Sequence, residues 1–309
     1  MSLETDLLLD RHHLKRRLFI WRAVAVLVIL AGVLVAVRTG RDGEIVGRDH
    51  VARLMINGVI LDNRKLTERL TAAVKNEQVK ALLVTIDSPG GSMGGGESLY
   101  RVLRAVADKK PVIAIMRGTA ASAGYMIAMP ASRIFAREST ITGSIGVRMD
   151  TTEFSGLMRT LGVSAESFVS GPLKDQPSMT HPVSPEGRLV LQGLIDDLYD
   201  QFVEIVARGR KMEQNAVRRL ADGRAYTGRQ ALALGLVDAI GDEADARAWL
   251  AAHHDISTDL PIRDIVTSGI ADRLLDRGGE SLLGGIWKTL FSQRVMLDGA
   301  WAIWQPAQN

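Results

Sequence analysis

The sequence predicts an α/β protein with a largely parallel sheet, preceded by a transmembrane helix. Three observations carry this. Residues 81–86 (ALLVTI) and 111–116 (PVIAIM) are short, continuous apolar runs, the pattern of strands buried on both faces. Residues 98–107, between them, carry apolar side chains at helical spacing. Ahead of both, residues 18–37 (LFIWRAVAVLVILAGVLVAV) hold a single charge, Arg22.

Twenty helical residues span about 30 Å, the thickness of a hydrocarbon core. Arg22 lies near the start of the run, where its side chain can snorkel to the interface. Arg11, Lys15, Arg16 and Arg17 precede the run, and Arg38 and Arg41 follow it. The positive-inside rule then places residues 1–17 in the cytoplasm and the chain after residue 38 outside. A cleaved signal peptide would have an apolar region of only about 7–15 residues and a small-residue cleavage site. This run is longer and ends Val35-Ala36-Val37-Arg38, which favours an uncleaved anchor. Residues 38–50 are polar and glycine-rich and read as a linker.

The alternation then runs in order. Residues 51–61, with Val51, Leu54, Ile56, Val59 and Ile60, read as a strand, and 66–74 as a helix. Residues 81–86, 98–107 and 111–116 follow as strand, helix and strand. Residues 118–129 are rich in small side chains and read as helical, and 134–136 and 145–147 as further strands. Such alternation implies right-handed crossovers. Ser184, followed by Pro185 and Glu186, is a helix start, and Leu189, Leu191, Leu194, Ile195, Leu198, Phe202 and Ile205 give the stripe. Thr227 is read as the cap of a short helix over 230–234, stopped by Gly235. The main domain is placed at 51–250. The segment 251–309, with Trp287, Phe291, Trp301 and Trp304, is either an interfacial amphipathic element or a packed strand and helix.

Composition narrows the chemistry. The 309 residues are 46% hydrophobic and 24% charged, with a net charge of +3, an ordinary globular mixture. No Lys/Arg block beyond the N-terminus forms a nucleic-acid footprint. There is no cysteine, which removes disulfides, thiolate zinc sites and a thiol nucleophile. No metal or cofactor is expected.

Two segments carry candidate chemistry. Asp87-Ser88-Pro89-Gly90-Gly91 follows the apolar run 81–86 directly. Consecutive glycines there let the backbone approach a ligand and aim N–H groups at it, although a tight turn gives the same pattern. Gly118-Thr119-Ala120-Ala121-Ser122-Ala123-Gly124-Tyr125 follows the run 111–116. A serine among small residues at a strand-to-helix junction has the mechanics of a nucleophile elbow, without the G-x-S-x-G pattern. The Ala123 N–H would then be free for an oxyanion, with Gly90 or Gly91 giving a second donor. Packing of a helix through small residues explains the segment equally well.

A nucleophilic Ser122 needs a base. The six histidines are His12, His13, His50, His181, His253 and His254, so none falls in the sheet region between His50 and His181. His181, in a proline-flanked loop, is the one that could reach in. The distribution does not suggest a triad, and a lysine is the natural substitute if its environment depresses its pKa.

The Asp-Ser-Pro-Gly-Gly loop, the Ser122 segment and Thr142-Gly143-Ser144-Ile145-Gly146-Val147 together resemble the signal peptide peptidase A family. Ser170-Gly171-Pro172-Leu173-Lys174-Asp175 resembles the family's lysine segment, and its spacing from Ser122 fits the short, single-repeat members. Asp222-Gly223-Arg224 and Gly235-Leu236-Val237-Asp238 resemble its closing motif. The resemblance covers roughly residues 50–245 and implies a crotonase-like α/β spiral shared with the caseinolytic protease subunit. It further implies a Ser–Lys endopeptidase, with Ser122 as nucleophile, Lys174 as base and Ser144 orienting the lysine. Gly90, Gly91 and Ala123 would line the oxyanion hole. It implies homo-oligomers, octamers among them, in which the lysine comes from a neighbouring subunit. The implied substrates are apolar extended peptides, remnant signal peptides above all, bound by strand addition on the extracytoplasmic side. Taken alone, Lys174 reads as a solvated loop lysine, Ser144 as a buried turn serine, Tyr125 as core and Asp87 as a brace for the loop. Two other functions fit parts of the pattern. Paired glycine N–H groups also suit a crotonase-type acyl-CoA enzyme, against which the outward topology argues. A catalytically silent membrane scaffold needs only the fold.

Overall fold

The computed structural model describes residues 21–22, 24–28 and 48–265, and the backbone of 301–303. The chain divides into two units, Met1–Arg48 and Asp49–Asn309. In the first, residues 21–22 and 24–28 are helical, with Trp21, Val24, Val26, Leu27 and Val28 exposed. Among the described residues no helix is long and apolar enough to cross a membrane. Most of the expected anchor, 18–37, lies outside the described residues, as does most of the linker 38–50.

The second unit carries ten strands among its described residues. They are β1 (His50–Asn57), β2 (Val79–Ser88), β3 (Gly90–Ser92), β4 (Val112–Ala121), β5 (Arg133–Ala136), β6 (Ile141–Gly143), β7 (Ala225–Thr227), β8 (Ala239–Ile240), β9 (Ile262–Asp264) and β10 (Trp301–Ile303). Eight of them make one sheet in the order β7-β6-β4-β2-β1-β9, with β5 paired to β4 and β8 to β5. All of its pairings are parallel except β6 with β7. Helices Arg64–Lys75 and Met93–Ala107 make the first crossovers.

The continuous apolar runs are explained by burial on both faces. On β2, Leu82, Val84 and Ile86 join a cluster with Tyr100, Leu103, Phe202 and Val203. Ala81 and Leu83 point the other way, to Ile113, Ile115, Phe135, Ala246 and Leu250. Each fully buried large aliphatic side chain contributes about 1.5–3 kcal/mol. The second face is closed by helix Glu243–His254, whose N-cap Asp242 accepts from Ala244 N in a capping box with Asp245. Helix Pro185–Arg210 starts as its sequence indicates. Pro185 is in the first turn and Ser184 Oγ accepts from Gly187 N at 2.9 Å. Thr227 also caps as expected, though its helix covers Gly228–Ala233.

Two expectations are corrected. Residues 118–129 were expected to be helical throughout, yet β4 runs on to Ala121 and the helix is only Ala123–Met126. Pairing of Thr119, Ala120 and Ala121 with Ile141, Thr142 and Gly143 overrides the helical preference of alanine. Residues 145–147 form no strand; the strand is β6, just before them. The geometry of β4 positions the site. Its first half pairs with β5 and its second half with β6, so its C-terminal end sits between β2 and β6. The segment 251–309 adds β9 to the edge of the sheet beside β1, and β10 elsewhere.

Candidate active site

Ser122 stands where β4 gives way to helix Ala123–Met126. Its backbone takes φ 55°, ψ −119°, a conformation that non-glycine residues rarely adopt. The elbow is fixed by its own hydrogen bonds. Ser122 N donates to Gly143 O at 2.8 Å, and Ser122 O accepts from the N–H groups of Tyr125 and Met126, both at 2.9 Å. Small neighbours are required here. A Cβ at Gly124 would lie 2.9 Å from Ser88 O, and one at Gly96 would lie 3.1 Å from Ala123 Cβ. Tyr125 is wholly buried and donates to Leu236 O at 2.7 Å. Burial pushes its phenol far above the ordinary tyrosine range, so it anchors the elbow and moves no proton near neutrality.

Ser122 is 1% exposed, and its buried hydroxyl has no hydrogen-bond partner among the described residues. A buried hydroxyl without a partner is costly and calls for a reason. A strained conformation at the same residue marks it as a candidate functional position.

The glycine segment lies against this elbow. β3 packs on helix Ala123–Met126 and is bridged to Ile60, with Ile60 N donating to Gly90 O at 2.8 Å and Ser92 N to Ile60 O at 3.0 Å. Gly91 admits no side chain, since a Cβ would lie 1.8 Å from Ile60 O. Gly90 adopts φ 111°, and its N–H already donates to Ser88 Oγ at 3.1 Å. Ala123 N is the first N–H of its helix and has no intrahelical acceptor by position. Asp87 accepts from Thr119 N at 3.0 Å through Oδ1, and its carbonyl accepts from Gly58 N at 3.0 Å, so it braces β1, β2 and β4.

Ser144 follows Gly143, whose carbonyl receives the Ser122 N–H, so the two serines flank one inter-strand bond. Ser144 is buried, takes φ 48°, and donates its N–H to Arg224 O at 2.9 Å. The segment around Asp222 and Arg224 is thereby part of the site's frame. Asp238 lies further off. Burial raises its carboxyl, but the Arg210 guanidinium, bonded at 2.6 and 3.0 Å, outweighs this and holds it below the carboxylate norm.

Lys174 falls in the loop segment after Gly171. It is exposed, in a turn where its N–H donates to Gly171 O at 3.0 Å, and it makes no bond to Ser122 Oγ. Next to it, Asp175 Oδ2 lies 2.7 Å from His181 Nε2, a pairing that sequence spacing gave no reason to expect. β10 runs antiparallel along β3, with Ala302 opposite Gly91, so the strand beside the elbow accepts an extended partner. The rest of the expected tail element lies outside the described residues.

The model of Peptidase family S49 matches residues 104–257, and that of Clp protease matches residues 53–143. A Synechocystis sp. protein named "Putative protease slr0021" is 42% identical over 205 residues, which cover 66% of this chain and 74% of that one. The chain belongs to peptidase family S49. As a member of S49 it is a serine endopeptidase with a Clp-protease-like α/β fold. An Enterococcus faecium protein named "Putative signal peptide peptidase SppA" is 38% identical over 63% of this chain and 61% of its own length. Protease 4 of Salmonella typhi is 36% identical, and 34% of its length is covered. Among solved structures, a mutant of the 1510-N membrane-bound stomatin-specific protease, in complex with a substrate peptide, superimposes with a TM-score of 0.50 at 15% identity. It covers 75% of this chain and 98% of that one, a likeness of fold.

Proposed function

We propose that this S49 chain is a membrane-anchored Ser–Lys endopeptidase whose catalytic pair is completed between two copies. The observation that carries the proposal is the Ser122 hydroxyl, buried and unpartnered on a strained elbow. In the proposed reaction Ser122 Oγ attacks the peptide carbonyl while the neutral Lys174 amine of a neighbouring copy takes its proton. The resulting lysine ammonium returns that proton to the leaving amine. Water, deprotonated by the same amine, then releases the acyl group from Ser122. Ala123 N–H and Gly91 N–H hold the oxyanion, and Gly90 sets the direction of the strip. Ser144, beside Ser122 and in the same positive-φ region, orients the incoming amine.

Exposure of Lys174 within one chain supports the shared pair. In the same stretch of chain, residues 154–179, Phe154, Leu157, Leu161, Phe168, Leu173 and Met179 are also exposed, which suits contact with a second copy. A second copy covering this stretch would give the lysine the desolvated setting that a base needs. The apolar run 18–37 supports the anchor, with the Ser122 unit on the extracytoplasmic side. Antiparallel pairing along β3 supports extended peptides as substrates, and the name of the Enterococcus relative points to signal peptides. Ser122→Ala and Lys174→Ala should each abolish cleavage of an apolar peptide while leaving assembly intact. Full activity in Lys174→Ala would contradict the proposal.

A further inference from the structure

Ser88 is fully buried, and its hydroxyl bonds Gly90 twice. Ser88 Oγ accepts from Gly90 N at 3.1 Å and donates to Gly90 O at 3.4 Å. Ile60 N donates to the same carbonyl at 2.8 Å. A trans peptide turns its C=O and its N–H to opposite sides. Whatever holds Gly90 O on the Ile60 side therefore turns Gly91 N–H to the other side. On that other side β10 runs along β3, with Ala302 opposite Gly91. Gly90 takes φ 111° and has no Cβ to restrict this peptide, so its hydrogen bonds must fix it.

Ser88 also abuts the elbow. It pairs with Ala120 in the register of β2 with β4. A Cβ on Gly124 would lie 2.9 Å from Ser88 O and 3.4 Å from Ser88 Cβ. One buried residue thus contacts the glycine strip at Gly90 and the helix that begins just after Ser122. Loss of its hydroxyl would leave the Gly90 N–H buried without an acceptor and Ile60 alone on the carbonyl.

We propose that Ser88 is a positioning residue for the oxyanion: its hydroxyl fixes the Gly90–Gly91 peptide so that Gly91 N–H meets the charge that develops beside Ser122. The inference rests on the Ser122 chemistry proposed above. As Ser122 Oγ bonds to the peptide carbon, the C=O π pair moves onto oxygen and the serine proton passes to the proposed base. Ser88 gains and loses no proton in this step. The Gly91 donor counts most once charge sits on that oxygen, so loss of its aim falls on kcat rather than KM.

The test compares a peptide aldehyde, which adds to Ser122 and places an oxygen at the oxyanion position, with the matching peptide alcohol, which cannot add. On the full-length chain in detergent, the aldehyde should bind about a hundredfold or more tightly than the alcohol. Ser122→Ala should abolish that preference; if the preference survives, the reading of Ser122 fails, whatever Ser88 does. Ser88→Ala should lower both the preference and kcat by roughly 10–100-fold, with KM and alcohol affinity within about twofold of wild type. Ser88→Cys, close in size with a weaker donor and acceptor, should fall between the two, and it carries the test where the alanine variant does not assemble. A purely structural role for Ser88 would weaken aldehyde and alcohol together. Full preference in either Ser88 variant, or equal losses for both ligands, would overturn the role of Ser88 and leave that of Ser122 standing.

Discussion

Ser122 combines two costs in one residue, a positive φ and a buried hydroxyl without a partner. Both are removable by substitution, and on the proposed mechanism catalysis is what they serve. Ser122→Gly should therefore abolish turnover and raise unfolding stability by about 1 kcal/mol, read from chemical denaturation. A loss of stability in that variant would argue against strain at the elbow. Tyr125→Phe should act in the opposite sense. It leaves the Leu236 carbonyl without its 2.7 Å donor and should cost about 1–3 kcal/mol of stability, while Ser122 still reacts with a serine-directed electrophile. At this scale the sequence was legible in uneven measure. Ser122 is marked by small residues on both sides, which the elbow's close contacts require. The Asp175–His181 pair was not legible, because six positions apart in a loop is neither a helical nor a strand spacing.

The glycine strip and the end of β4 act as units. Gly91→Ala places a methyl group 1.8 Å from Ile60 O, so the bridge to β3 must open. We expect at least tenfold lower kcat/KM and a loss of about 2 kcal/mol or more. Gly94→Ala, in helix Met93–Ala107 with open space around it, should instead be neutral or stabilise by about 0.5–1 kcal/mol. Equal effects in the two variants would deny β3 its special geometry. The Arg210–Asp238 pair joins helix Pro185–Arg210 to the loop before β8. The native Asp238 carboxyl lies below its unfolded value, so its contribution is present above about pH 4 and is lost as pH falls through the native value. Asp238→Asn should cost about 2 kcal/mol at pH 7, and the gap to wild type should close in acid. The strands β2 and β4 were legible because both faces bury apolar side chains. The extension of β4 through Gly118–Ala121 was not, because alanines and glycine carry little strand signal and only the pairing to β6 decides it.

Across the described residues, the end of β4, β6 and the packing of β3 on helix Ala123–Met126 bring Ser122, Ser144, Ala123 and the glycine strip together, while Lys174 is exposed and unbonded to Ser122 Oγ. The α/β class followed from alternating runs, and Ser122 was singled out as a candidate by the junction they create and by the family resemblance. That Lys174 does not bond Ser122 Oγ is a property of tertiary structure, which a linear spacing of 52 positions does not reveal. If the proposed pair is shared between copies, activity requires self-association. The most direct measurement is peptide cleavage by mixed oligomers of Ser122→Ala and Lys174→Ala chains, each inactive alone. With co-assembly confirmed by differential tags, a pair shared between copies predicts recovery of about a quarter of wild-type sites at equal mixing. No recovery in confirmed mixed oligomers would contradict it and return the lysine to the chain that carries the serine.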